Sequence, residues 1–168
     1  NSDETHEYTD TLLDLSRISG APSYILLLYL MSNQNVLNLT DKDLNEIIKV
    51  LITFFVRRNV TDVPNTRKLT QLFMDIIAEV KLLQGNSIVQ VVRDRLQAVS
   101  APDSLFEDKL RGPVYDENPE AARFILCSIE AQHQTKEIYT REHPTPARYQ
   151  RVCPKTPLFL RSVPRHGR

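Results

Sequence analysis

The sequence predicts an all-α fold, an irregular bundle of about seven helices followed by an irregular basic C-terminal tail. Two features of the pattern lead to this prediction. Apolar residues recur three and four positions apart through most of residues 1–140, which is the spacing of amphipathic helices. No stretch alternates for long between apolar and polar residues, as a half-buried strand would. The length of 168 residues suits one domain, or one domain with a tail.

The first two predicted helices lie on either side of Gly20. Leucines within residues 12–15 belong to a helix that Gly20 ends. Pro22 then opens a second helix, Tyr24–Met31, whose residues are all apolar. We expect this helix to be buried on most sides.

The next two predicted helices carry the longest apolar patterns. Thr40 caps the first, and Asp41 and Asp43 lie in its first turn, where the helix dipole favours negative charge. Thr66 caps the second and Gly85 ends it. Their apolar residues are Leu44, Ile47, Ile48, Leu51, Ile52 and Phe55 in the first, and Leu69, Leu72, Phe73, Ile76, Ile77, Val80 and Leu83 in the second.

Three shorter helices complete the predicted bundle. Ser87 caps the first, Ser100 with Pro102 opens the second, and Gly112-Pro113 stops it. The third starts at Asn118-Pro119-Glu120, a cap followed by proline at the first helical position and then an acid. The apolar residues assigned to these helices are Ile88, Val91, Val92 and Leu96, then Leu105, Phe106 and Leu110, then Ala122, Ile125, Leu126 and Ile129.

The composition changes near residue 141. Residues 1–140 have 14 basic and 20 acidic residues, a net charge of −6, whereas residues 141–168 have 7 basic and 1 acidic, a net charge of +6. Five of the ten prolines also lie in the second segment, and proline at that density blocks helices and central strands. We therefore expect a folded domain over 1–140 and an irregular tail over 141–168. Such a shift also suits a change of reading frame in a truncated gene product.

The sequence offers few candidates for catalysis or metal binding. Glu130 and His133 form a Glu-x-x-His pair, but di-iron bundles need two such pairs and further carboxylates. Asp116, Glu117 and Glu120 suit the dipole of a helix start better than a metal site. No glycine-rich phosphate loop or nucleophile elbow is present. We therefore predict no catalytic residue, no metal ligand and no cofactor.

Three groups of basic residues are candidates for contact with nucleic acid. Arg57-Arg58 ends one long helix and Arg67-Lys68 begins the next, although Arg57 and Arg58 also suit a structural role at a helix C-terminus. The tail contributes the third group, which includes Arg148, Arg151 and Arg161. The acidic body would repel a duplex lying along it.

The two cysteines and the apolar runs bear on location. Cys127 and Cys153 define neither a disulfide framework nor a metal spacing, which favours a reduced, cytoplasmic protein. No apolar run approaches the roughly 20 residues that a membrane-spanning helix requires, so we expect no membrane association.

Six segments, in their order along the chain, are similar to one protein family. They are Tyr24–Met31, Leu51–Asn59, Pro64–Leu69, Ser104–Leu110, Ala122–Leu126 and Ile129-Glu130. This order resembles the helical middle region of GmrSD-type proteins, which are bacterial modification-dependent (type IV) restriction nucleases of the ParB-like plus HNH arrangement. The resemblance spans about residues 12–143. It implies phage defence by a parent protein in which a ParB-like nucleotidase domain gates an HNH nuclease domain.

The sequence departs from this family at both active sites. The ParB-like signature Asp-Gly-Gln-Gln-Arg is absent, and Glu142-His143 is followed by Pro144 rather than by the Ile-x-Pro of the HNH motif. The resemblance therefore implies a non-catalytic helical segment that couples or scaffolds neighbouring nucleotidase and nuclease domains, or docks a partner protein.

Two alternatives remain. One is a free-standing helical module that binds a protein or nucleic acid through its basic tail, and the other is a metal or small-ligand enzyme around Glu130 and His133. A docking module should expose apolar surface, and the candidates for that surface are Tyr24–Met31 and Phe54-Phe55.

Overall fold

The computed structural model describes the backbone of residues 8–137 and the side chains of residues 8–131. Eight α-helices and no strand occur between these limits, so the all-α prediction is confirmed there. The predicted tail, 141–168, lies outside the described residues. The helices are α1 Thr9–Arg17, α2 Tyr24–Ser32, α3 Asp41–Thr61, α4 Thr66–Val80, α5 Asn86–Val99, α6 Asp103–Leu110, α7 Val114–Glu117 and α8 Pro119–Glu137.

The observed helices include one more than the sequence predicts. The addition is α7, a four-residue helix between Gly112-Pro113 and Asn118. A segment this short has no room for an apolar repeat, and therefore periodicity does not reveal it. A 3-10 turn, Ala21–Ser23, also precedes α2.

The longest helix, α3, lies at the centre of the bundle. It contacts α1, α5, α6 and α8, while α4 packs against α2, α5 and the 3-10 turn. The buried apolar residues of α3 are Leu44, Ile47, Ile48, Leu51, Phe54, Phe55 and Val60. The Phe55 ring stacks on Phe73 of α4, with centroids 6.3 Å apart, so an aromatic contact joins the two long helices.

Predicted helix starts agree with the structure at α3 and α8. Thr40 and Asp43 form a reciprocal capping box, in which the Asp43 N–H donates to Thr40 Oγ1 at 3.2 Å and the Thr40 N–H donates to Asp43 Oδ2 at 2.8 Å. At α8 the Ala121 N–H donates to Asn118 Oδ1 at 3.1 Å. Both starts have a cap residue and an acid in the first turn.

Three predicted helix starts are wrong by one or a few residues. The cap of α4 is Asn65 rather than Thr66, since Asn65 Oδ1 accepts the Arg67 N–H at 3.0 Å. Ser87 lies inside α5, which follows Gly85 without a side-chain cap. Ser100 closes α5 by donating to the Leu96 carbonyl at 2.7 Å, and α6 begins only after Pro102. Adjacent polar residues compete for each cap position, and the turn geometry decides between them.

A hydrogen bond at Gly85 joins the connection between α4 and α5 to the connection between α2 and α3. The Gly85 N–H donates to the Leu37 carbonyl at 2.8 Å, and Gly85 has a φ of +55°, which favours glycine. The position predicted to end α4 therefore lies in the turn before α5, since α4 itself ends at Val80.

The substitution Gly20→Ala should lower the free energy of unfolding by about 1–3 kcal/mol, the usual cost of overpacking. The added methyl group would overlap Leu15 Cδ1 and would lie 2.6 Å from Leu15 Cγ and 2.8 Å from the Leu15 carbonyl oxygen. Urea unfolding followed by circular dichroism measures the change. The matched control is Gly112→Ala, whose methyl group meets only the Lys109 carbonyl oxygen, at 3.3 Å. Equal losses in the two variants would contradict the expected clash.

Candidate functional site

The corner between α1 and α2 positions the first candidate surface. The Gly20 N–H donates to the Leu15 carbonyl at 2.9 Å, and the fully buried Ser23 donates from Oγ to the Gly20 carbonyl at 2.7 Å. These bonds fix the direction in which α2 leaves α1. The helix that follows is apolar from Tyr24 to Met31, on all its faces.

Only one side of α2 is covered by the bundle. Leu26, Leu27 and Leu30 are buried, and α2 packs against α4. The other side has an apolar stripe, which we call the α2 stripe, formed by Tyr24, Ile25 and Leu28 with exposed fractions of 38%, 42% and 66%. Leu28 follows Ile25 by three residues and Tyr24 by four, so the three side chains share one helical face. The expectation that this helix is buried on most sides is therefore wrong for that face.

The second predicted docking surface does not exist. Phe54 and Phe55 have exposed fractions of 3% and 1%, and their rings meet edge to face with centroids 5.3 Å apart. Both face the bundle interior, because α3 is surrounded by other helices. The prediction of an exposed Phe54-Phe55 patch is wrong.

The exposed face of α8 is also more apolar than the sequence suggests. Leu126 and Ile129, assigned to the core from their spacing, have exposed fractions of 56% and 48%. The covered face holds Ala121, Ala122 and Ala131. Small residues let α8 approach its neighbours closely, and that side of the helix is the buried one.

Arg57 is used to hold α6 against α3. Its Nη2 donates to the Ala101 carbonyl at 3.1 Å and to the Asp103 carboxylate, and its guanidinium lies 4.9 Å from the centroid of the Phe106 ring. None of the residues of α6 is buried, so these polar and cation–π contacts matter for its position.

Arg58 ties together the connection between α3 and α4. It donates to the carboxylate of Asp62 at 3.1 Å, to Oγ1 of Thr66 at 2.5 Å and to the carbonyl of Pro64 at 3.4 Å. The side chain of Arg58 is only 18% exposed. Arg57 and Arg58 therefore have structural partners, and little of either guanidinium faces solvent.

Arg67 and Lys68 are placed differently. Both are exposed, in the first turn of α4, which contains no acidic residue. Neither forms an ion pair with any residue between 8 and 131. Cations at a helix N-terminus oppose the helix dipole, so this pair is unfavourable for the fold.

The four basic residues predicted in the body thus divide into two pairs. Arg57 and Arg58 are bound by neighbouring groups, whereas Arg67 and Lys68 are available to a ligand. The tail residues of the same prediction, Arg148, Arg151 and Arg161, lie outside the described residues.

Two of the carboxylates singled out in the sequence form ion pairs. The Glu117 carboxylate lies 4.0 Å from Lys109 Nζ, and the Glu120 carboxylate lies 3.8 Å from Arg123 Nη1. Over the described residues, no three His, Cys, Asp or Glu side chains come together as a metal site would require. The His133 side chain lies outside the described side chains, so the pairing of Glu130 with His133 is not tested.

Burial perturbs two titratable groups near α1. It raises the pKa of the Asp14 carboxyl, and the Arg17 guanidinium, 2.7 Å from Asp14 Oδ1, acts in the opposite direction. Burial also raises the pKa of Tyr8, with a smaller contribution from the Asp41 carboxylate. Tyr8 lies at the start of α1 and Asp14 near its end, so the two groups are at different ends of the helix.

Cys127 has 7% of its surface exposed, on the buried side of α8. The other cysteine, Cys153, lies outside the described residues, so the expectation of reduced cysteines stays a prediction.

Two asparagine contacts that the sequence does not predict link distant segments. Asn59 Nδ2 donates to the Ile18 carbonyl at 2.7 Å, and Asn118 Nδ2 donates to the Asn59 carbonyl at 3.1 Å. They connect the end of α3 to the end of α1 and to the start of α8. An asparagine near a helix end is the available signal, but it does not name its partner.

Two further findings concern membrane-spanning helices and similarity to known proteins. Among residues 8–137, none of the helices combines the length and the apolar character that crossing a membrane requires. No protein-family model, curated protein or solved structure matches this chain significantly.

The substitution Arg57→Ala should lower the free energy of unfolding by about 1–2 kcal/mol, because it removes a hydrogen bond to the Ala101 carbonyl, a cation–π contact and a mostly exposed ion pair. Hydrogen exchange should accelerate most in α6. The control is Arg111→Ala, an exposed arginine at the end of the same helix, with an expected change within about 0.5 kcal/mol. Unchanged exchange in α6 would contradict the role given to Arg57.

Replacing Arg67 or Lys68 by Glu should raise the free energy of unfolding, by about 0.3–1 kcal/mol for each residue, because an acid in the first turn suits the helix dipole. The gain should shrink in high salt. Thermal unfolding at two ionic strengths measures it. Lys49→Glu, in the middle of α3 and exposed, is the control without a dipole effect. Destabilisation by both α4 variants would show that these cations support the fold.

Proposed function

We propose that this helical domain is a non-catalytic coupling and scaffold segment that works by docking another protein surface. The observation that carries the proposal is the α2 stripe. A helix that is apolar on all faces but covered on one leaves Tyr24, Ile25 and Leu28 in contact with water. Exposed apolar side chains grouped on one face are typical of protein interaction sites.

The resemblance to the middle region of GmrSD-type restriction nucleases names the expected neighbours. In that setting the domain joins a ParB-like nucleotidase domain to an HNH nuclease domain of a truncated or larger parent protein, in bacterial restriction of phage DNA. Its packed core supports such a role, since a rigid bundle transmits a shift of one neighbour to the other. The link to this family is an analogy of fold and sequence order.

The proposal also places the protein in the cytoplasm, where DNA restriction takes place.

The coding DNA on both sides of the segment tests the assignment to a nuclease. Translation of all three frames should yield an Asp-Gly-Gln-Gln-Arg signature upstream and a Glu-His-Ile-x-Pro motif downstream. Neither motif in any frame would overturn the nuclease part of the proposal.

The non-catalytic role has its own test. The purified chain, incubated with modified and unmodified DNA, Mg²⁺ and nucleotide triphosphate, should leave both DNA substrates intact. Cleavage that survives repurification from an independent expression host would overturn it.

A second candidate function is binding of single-stranded nucleic acid, and the unpaired Arg67 and Lys68 favour it. Charges kept at a helix terminus that opposes them suggest a use other than stability. Together with the basic tail they are the candidate contacts for nucleic acid, in contrast to Arg57 and Arg58, which have partners within the fold.

Fluorescence anisotropy with a labelled single-stranded oligonucleotide tests this second function over a series of salt concentrations. Removing both charges, with Arg67→Gln and Lys68→Gln, should make the slope of log K against log salt shallower by about 1.4, since each phosphate contact on a single strand contributes about 0.7. The control pair, Lys42→Gln and Lys49→Gln, removes two exposed lysines of α3 and should leave the slope unchanged. Binding that is undetectable or independent of salt would exclude this function.

A further inference from the structure

We infer that the α2 stripe is occupied by a second copy of this chain, so that two copies pack their α2 helices across a twofold axis. This inference rests on the docking role proposed above and names its partner. It follows from the apolar character of the stripe, from the charges around it and from the polar groups at its ends.

The α2 stripe has the shape that a helix–helix contact requires. Tyr24 and Ile25 lie in the first turn of α2, and Leu28 lies one turn later on the same face. Leu28 is the most exposed of the three, at 66%, and is in the middle of the helix. Helices that pack on one another interlock ridges formed by residues three and four apart. A second α2 in the opposite direction offers the same ridge.

The chain segment that contains the stripe carries no charge. Residues 18–40 contain no Asp, Glu, Lys, Arg or His, although a quarter of the whole chain is charged. Among the described residues, every other exposed large apolar side chain except Val36 has a charged residue within four positions. Leu126, for example, has Arg123 and Glu130 on its own helix.

A charge-free surface suits a copy of itself. In a twofold contact the same patch lies on both sides, so any charge close to the axis faces a like charge. The α2 stripe avoids that repulsion. A partner of different sequence would gain orientation from complementary charges, and residues 18–40 offer none.

The polar side chains at the ends of the stripe can hydrogen-bond to the same set of side chains on a second copy. Ser19, Ser32 and Asn35 are exposed at the two ends of the stripe. Hydroxyl and amide side chains carry both donors and acceptors, so the groups at one end of the stripe can pair with those at the opposite end of a second, antiparallel stripe, as two lysines or two aspartates cannot. A lipid surface fits less well, because interfacial helices carry Lys or Arg on their polar side.

Sedimentation velocity over a wide range of concentrations tests the inference on the whole chain. The wild-type protein should pass from monomer to dimer as its concentration rises. Leu28→Glu and Leu28→Lys should each raise the dissociation constant by about 100-fold or more, since like charges would be buried at the axis. Leu28 is mostly exposed, so both variants should keep the wild-type melting curve at concentrations where the wild type is monomeric.

The decisive sample is an equal mixture of the two variants. Opposite charges then meet at the axis, and the mixture should dimerise again. Leu126→Glu, an equivalent change on the exposed face of α8, should dimerise like the wild type. A wild-type protein that stays monomeric, a dimer that survives Leu28→Glu, or a mixture that does not reassociate would each overturn the inference.

A failure of the dimer inference can be distinguished from a failure of the proposed function. If the wild-type chain is monomeric but Leu28→Glu abolishes binding to a domain encoded in the flanking DNA, the docking role stands and only the second copy is excluded. If the chain dimerises and the flanking DNA encodes no nuclease, the dimer stands without that parent protein.

Discussion

The burial of α3 is the constraint on which the rest of the structure depends. Five of its side chains are at most 1% exposed: Leu44, Ile47, Ile48, Leu51 and Phe55. Burying each stabilises the fold by about 1.5–3 kcal/mol relative to exposure. Because α3 contacts α1, α5, α6 and α8, its apolar faces set where those helices lie. The last turn of α3 still contains two buried residues, Val60 and Thr61, and the polar groups around them need partners.

Those partners are supplied where α3 meets the ends of other segments. Arg57 reaches Ala101 and Asp103, and Asn59 reaches Ile18. An arginine that satisfies a carbonyl beside a packed helix is committed to the fold and has little charge to offer a ligand. The basic residues around the α3–α4 connection therefore do not form one cluster. Arg57 and Arg58 are held by the fold, whereas Arg67 and Lys68 on α4 are exposed.

The fold class, the core of α3 and α4 and the caps of α3 and α8 could be predicted from the sequence, since they depend on local spacing and local hydrogen bonds. The partners of Asn59 and Arg57 could not, because they lie 41 and 44 residues away along the chain. The exposure of Leu126 and Ile129 could not be predicted either. Spacing identifies which residues share a face of α8, but here the buried face holds three alanines and Cys127, while Leu126 and Ile129 lie outside.

The face of α2 that is exposed could not be predicted from the sequence either. A helix with eight consecutive apolar residues has no polar face to reveal which side meets water, so its sequence alone cannot say whether it is central or peripheral. The structure places it at the edge, packed on α4 by Leu26, Leu27 and Leu30. Leu28 then remains in water at a free-energy cost that a packing partner would remove. The missing charges from 18 to 40 extend the point beyond α2 itself, since the loops on both sides are neutral as well. A surface kept free of charge over helix and loops alike is better explained by a contact with another protein surface than by the packing of α2 within its own bundle.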